Sequence, residues 1–370
     1  MAKMYEKFEK FSYFSYNWKS CLFLYKIFSG LYRGLNKQQF FCIFIFLSSV
    51  YLDIKMTGNV LKSPLVCATE EELNLLYQMY GLTDKNKIRD DILVIKDWMK
   101  KESHLVAASE YFRDNVIERL YFVAKGSIEL TKARIDKYCT TRSLAPELCL
   151  NRNVDEFAFL RTKVQYLILP KLNPKDNTRI HIARFLTSDL DDIPLMLMLR
   201  WILMELDYSQ AVDHHFGTRC IVDYNNFPMS YILKINPMLV KKIELLGAKA
   251  YGLKIKGIHM INVPSFVDKI LAIIKSSLSE KLAGRINVYP TYDELYADIS
   301  KDILPKEYGG NGASCAEISD QWKDVLQSED GKKIIQDIEK VTADETKRSS
   351  CKFNEEYLGM PGSFRTLSVD

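Results

Sequence analysis

No two cysteines in this chain stand at Cys-x-x-Cys spacing, although there are eight of them, at 21, 42, 67, 139, 149, 220, 315 and 351. Scattered thiols fit neither a disulfide framework nor a zinc site, and a reducing cytoplasm is the expected setting. The phosphate loop G-x-x-x-x-G-K-[ST] and the nucleophile elbow G-x-S-x-G are also missing; Gly309-Gly-Asn-Gly312 follows a helical stretch instead of joining a strand to a helix. The apolar run from Phe40 to Leu52 covers roughly 13 residues, short of the ~18–20 that span a bilayer, and it begins too far in for a conventional signal peptide. A formal charge of +4 excludes nothing by itself but is too mild to imply nucleic acid, so any basic function must be local. What is present is 370 residues with 47% hydrophobic and 26% charged side chains, enough for one large or two modest domains.

Residues 1–55 differ from the rest, being dense in Phe, Tyr and Lys. Three readings of this extension stand: an upstream addition with Met56 as the working start, an interfacial or membrane-anchoring segment, or an extra packed helix. From Ala68 the pattern becomes regular. Thr69-Glu-Glu-Glu72 reads as a capping box. In the next segment Ile88, Ile92, Ile95 and Met99 recur at helical spacing up to Lys101. Further helices are expected from Glu110 to Ala124 and, capped by Ser127, from Ile128 to Cys139. Residues 68–145 thus form a small helical bundle.

Beyond Pro146 alternation takes over. Val164 to Leu169 and Arg179 to Leu186 read as strands separated by a turn-prone stretch, followed by an apolar helix from Pro194 to Gln210 and a strand from Arg219 to Asp223. Met229 to Leu246 reads as helical, broken near Pro237. Strands separated by helices of this length predict crossovers and a mostly parallel sheet, so the fold class is α/β, with Asp189 to Gln336 as its main unit.

The stretch from Tyr251 to Gly310 carries most of the information. Leu253-Lys-Ile-Lys-Gly-Ile-His-Met-Ile-Asn-Val263 alternates as a strand, which places Lys254 and Lys256 on one face. After Pro264, the residues Phe266, Val267, Ile270, Leu271, Ile273, Ile274 and Leu278 cover about 160° of a helix, wider than one packing face requires. Lys281 and Arg285 follow four apart, then a strand to Tyr289, then Thr291-Tyr-Asp-Glu294 as a second capping box, then Leu304-Pro-Lys-Glu-Tyr-Gly-Gly310.

This order of strand, Gly-Ile-His-Met-Ile-Asn-Val-Pro, apolar helix and Leu-Pro-Lys-Glu-Tyr-Gly-Gly resembles the lipid-binding domain of the CRAL-TRIO (Sec14-like) family, and in particular its animal tocopherol- and retinaldehyde-binding branch. The resemblance covers about residues 85–340. It implies a helical N-terminal domain at 68–145, a lipid-binding domain at 150–312, a C-terminal helical segment at 313–345 and a flexible tail at 346–370. It also implies a hydrophobic tunnel walled by Leu197, Trp201, Met204, Val222, Ile258 and Met260. Phe266, Ile270, Ile273, Ile274 and Leu278 would belong to a gate helix over it. Lys254, Lys256, Lys281 and Arg285 match basic positions that contact phosphoinositide headgroups in that branch, whereas a further arginine of the bundle falls at Ala124, beside Lys125. The usual aromatic-proline pair is replaced by Tyr251-Gly252.

Without the resemblance, the apolar helix at 195–206 reads as a plain core helix and the four cations as solvated residues. With it, the expectation is a cytoplasmic, transiently membrane-associated monomer that transfers a small tocopherol- or retinoid-like lipid, needs no cofactor and is not an enzyme. The alternative is an adaptor that senses or presents phosphoinositide without delivering lipid. No residues suggest catalysis or metal: His214 and His215 are adjacent and do not face each other on a helix, His259 sits in a buried-looking strand, and Asp223 reads as a turn residue at a strand end.

Overall fold

The computed structural model describes residues 65–66, 68–234, 240 and 243–348. The aromatic extension at 1–55 and the tail beyond Arg348 lie outside them. The described part opens with helices α1 (Glu70–Met79), α2 (Lys85–Lys101), α3 (Asp114–Val123) and α4 (Ile128–Leu144). The Thr69 hydroxyl accepts from the Glu72 amide while the Glu72 carboxylate accepts from that of Thr69, which stops α1 fraying. The stripe Ile88, Ile92, Ile95 and Met99 is buried as its spacing predicts. Between α3 and α4 the chain reverses through Lys125 and Gly126, both left-handed, and a Cβ at 126 would collide with Leu82.

The sheet has the order β1-β2-β3-β4-β5, made of Val164–Ile168, Arg179–Phe185, Thr218–Asp223, Ile255–Ile261 and Ile286–Tyr289. β1 and β2 pair antiparallel and every other pair is parallel. Because the sheet already starts at Val164, the α/β unit begins well before Asp189. Helix α5 (Leu195–Val212) crosses from β2 to β3, α6 (Val267–Ser277) from β4 to β5, and α7 (Tyr292–Asp298), α8 (Cys315–Gln327) and α9 (Glu329–Glu339) follow.

Two local expectations are corrected. Thr291 is the N-cap of α7, but its side chain makes no capping bond, so no capping box forms there. The strand expected over 253–263 begins only at Ile255. Thr218 pairs with Ile255 and Arg219 with Gly257, so Lys256 is the extra residue of an irregularity and the two lysines do not share a regular strand face. The helical stretch expected over 229–246 is 3-10 at Met229–Lys234 and α-helical at 240 and 243–244 before a π-helical turn at Leu245–Ala250; Pro237 lies outside the described residues.

Buried charges tie the helical bundle to the α/β layer. Arg142 of α4 donates to both carboxylate oxygens of Asp207 on α5, at 2.9 and 3.0 Å, to the Tyr251 hydroxyl at 3.0 Å and to the Ile338 carbonyl at 3.1 Å. Arg152 donates to the second Asp207 oxygen at 2.6 Å. Burial works against an ionised Asp207, but the two guanidinium groups outweigh it and hold its carboxyl below the usual range.

The Leu304–Gly310 motif is a clamp on the end of β3. The Tyr308 hydroxyl donates to Asp223 at 3.0 Å, and the other Asp223 oxygen accepts from the Asn225 amide at 3.0 Å and the Asn262 side chain at 2.8 Å. Gly310 is required because a Cβ there would lie 2.0 Å from the Leu304 carbonyl oxygen.

Candidate functional site

A sheet in the middle of a protein should bury the apolar side chains of both faces, and here only one face does so. On one face Ile182, Ile221, His259 and Ile261 are wholly buried. The register places Ala183, Val222, Met260 and Val288 side by side across the opposite face, with His181, Cys220, Ile258 and Ile286 in the next row. On that face Ala183, Cys220, Val222, Ile258 and Ile286 keep part of their surface open, although β3 and β4 are interior strands. The same asymmetry runs along α5. From Leu203 to Val212 every residue is buried, whereas Leu195, Met196, Leu197, Met198 and Ile202 are half-buried. The all-round cover expected for this helix thus exists only over its C-terminal half.

No described side chain of α6 is fully buried. Val267, Leu271, Ile273 and Ile274, with Phe266 at its start, are half-buried against the main core, and Leu278 beyond its end is half-buried too. The Ile270 side chain is outside the described set. Of the expected tunnel residues, Leu197, Val222 and Ile258 therefore retain free apolar surface, while Trp201, Met204 and Met260 are closed within the core.

The cations collect near the start of β4. The Lys254 amine donates to the Tyr80 hydroxyl at 2.8 Å and lies over its ring, and Lys125 lies over the same ring. Burial brings the Lys254 amine down to about 8, assisted by Arg134, Lys125, Lys256 and Arg119, all of them cations. Arg285 donates to the Ile255 carbonyl, between the two lysines. Lys256 is exposed, as is Lys281 in the short helix Glu280–Ala283 that leads to Arg285. Sequence reasoning named Lys254, Lys256, Lys281 and Arg285 but not Arg134 or Tyr80, which come from the bundle and meet β4 only through the fold.

The other candidates are packed into the structure, although neither ring nitrogen of His214 has a hydrogen-bond partner among the described residues. His259 sits between the Tyr289 hydroxyl, 3.0 Å away, and Arg219. His214 is enclosed by the rings of Tyr77 and Phe122, and His215 bonds the Gly217 carbonyl at 2.9 Å. Among the described residues there is no group of three or more metal-ligating side chains, and no helix long and apolar enough to cross a membrane.

Residues 164–310 match the family model of the CRAL/TRIO domain. An alpha-tocopherol transfer protein-like protein of Mus musculus is 24% identical over 265 residues, covering 70% of this chain and 76% of its own. Clavesin-2 of Rattus norvegicus is 28% identical over 121 residues, 31% of this chain and 36% of its own. The crystal structure of Sfh5 aligns with a TM-score of 0.41 at 14% identity, covering 68% of this chain and 99% of that one. The domain match falls on the whole sheet, from the first residue of β1 to the closing Gly310, and the chain accordingly carries a CRAL/TRIO domain at 164–310.

Proposed function

We propose that this chain is a lipid-transfer protein that carries one small hydrophobic molecule, tocopherol- or retinoid-like, against the open sheet face and docks on phosphoinositide-bearing membranes. The observation that carries this reading is the contrast between the sealed and the open face of the same central strands. Apolar surface left open inside a fold is costly unless something apolar covers it. A bound lipid chain covers it, with α6 as the gate above.

Burying a lipid gains about 0.8 kcal/mol per CH₂, so an isoprenoid of ~15 carbons gains roughly 12 kcal/mol over water and does not leave by that route. Exchange then requires the gate to open where the protein meets a bilayer. Lys254, Lys256, Lys281 and Arg285, joined by Lys125 and Arg134, supply the docking patch, at about 1 kcal/mol per cation near an anionic surface. Cations drawn together repel one another, and an anionic headgroup removes that repulsion. The protein works from the cytoplasm and associates with membranes transiently; the chemistry is carriage and not catalysis.

Extraction of the purified full chain with organic solvent, followed by mass spectrometry, tests the reading. A neutral lipid near one per protein is expected. Recovery of phosphoinositide alone would favour the adaptor, and recovery of neither would overturn both.

A further inference from the structure

Up to Glu205, the side chains of helix α5 are apolar except for Arg200, which pairs with Glu156, and the Glu205 side chain is wholly buried. Its Oε1 accepts from the Trp201 indole N–H at 2.7 Å, and its Oε2 has no hydrogen-bond partner among the described residues. A second orphan lies on the sheet. The Tyr166 hydroxyl is 2.7 Å from His181 Nδ1, which leaves the buried His181 Nε2 without a partner. Tyr166 joins the two, since it interacts electrostatically with Glu205 and is bonded to His181. Tyr166 and His181 point to the open face of the sheet, and Cys220, directly opposite His181, keeps part of its surface free.

A buried polar atom without a partner is penalised in any folded state, and two such atoms, one on the open sheet face and one a turn beyond half-buried Ile202, call for a partner that arrives with the ligand. We propose that Glu205 and His181, positioned by Trp201 and Tyr166, form the polar pole of the lipid site and hydrogen-bond the single hydroxyl or carbonyl head of an otherwise apolar, uncharged lipid. The inference rests on the lipid-binding reading above. The ionisation states fit a neutral head. Burial raises the Glu205 carboxyl to about 8 against the pull of Arg161 and Trp201, so at neutral pH it is an O–H donor. Burial holds His181 uncharged, so its Nε2 donates or accepts according to tautomer. A donor beside a group of either polarity suits an alcohol or an aldehyde. It does not suit a carboxylate, which would be buried without a compensating charge on either group.

The test compares farnesol, farnesyl methyl ether and farnesene, offered to the full chain from vesicles and quantified by extraction. The native protein should favour the alcohol over the hydrocarbon by about tenfold, the effect of one buried hydrogen bond. Glu205→Leu and, independently, His181→Leu should lose that preference while still taking up farnesene; Glu205→Gln, which keeps an acceptor for Trp201 and a donor, should retain most of it. A folded Glu205→Leu or His181→Leu protein with undiminished alcohol preference would overturn the inference, and so would uptake of all three probes without preference by the native chain. Uptake of none would overturn the lipid-binding reading and this inference with it.

Discussion

Lys254 shows how a residue's meaning depends on what the fold brings beside it. In the sequence it is one of two lysines on an expected strand face. In the structure it is half-buried on Tyr80, and that burial, assisted by Arg134, Lys125 and Lys256 nearby, brings its amine down to about 8. The sign of the consequence is fixed by linkage. A lysine whose pKa is lower folded than unfolded is penalised while charged in both states, so stability is lowest below pH ~8 and recovers between there and the unfolded value near 10.4. Docking runs the other way, because only the ammonium attracts an anionic surface. Vesicle binding should therefore weaken from pH 7 to 9 in the native protein and stay level in Lys254→Arg, which keeps its charge. A flat profile in the native chain would remove Lys254 from the patch. Asp223 was legible from sequence as a turn residue because its position at a strand end already limits its partners. Glu205 was not singled out from sequence, since it stands with Asp207 at the end of an apolar run and nothing in that run announces which oxygen lacks a partner.

Among the elements, α6 departs along its whole described length from the packing of a core helix. Its apolar arc was readable from spacing, yet spacing cannot say that the arc rests half-buried on the fold. Ile274→Asp should therefore disturb function more than folding. A charge on that face obstructs both closure over lipid and contact with acyl chains. It should slow lipid transfer between vesicles at least tenfold while costing only about 1–3 kcal/mol in chemical denaturation. Normal transfer by this variant would mean that lipid enters elsewhere. The strand and helix order was legible because hydrophobic period and punctuation are local. The bulge at Lys256 and the uncapped Thr291 were not, since register against β3 and the placement of a hydroxyl depend on neighbours far along the chain.

For the molecule as a whole, the bundle and the α/β layer are joined by Arg142, Asp207, Arg152 and Tyr251, a cluster drawn from segments up to 109 residues apart. The sequence predicted both parts but offered no sign of this buried junction, because opposite charges distant in the chain carry no pairing signal. The same junction makes the proposed docking patch composite: Lys125 and Arg134 come from the bundle, and Lys254, Lys256 and Arg285 come from the starts of β4 and β5. The account turns on these cations being held together for an anionic membrane. Lys125 and Lys256 are both exposed, so reversing them should leave the fold intact. The most direct measurement is flotation of the Lys125→Glu, Lys256→Glu protein with vesicles of phosphatidylcholine containing phosphatidylinositol bisphosphate. The native chain should float with these vesicles, less so as salt rises, and the double variant should stay behind while still yielding its bound lipid on extraction. Equal flotation of the two folded proteins would contradict the account.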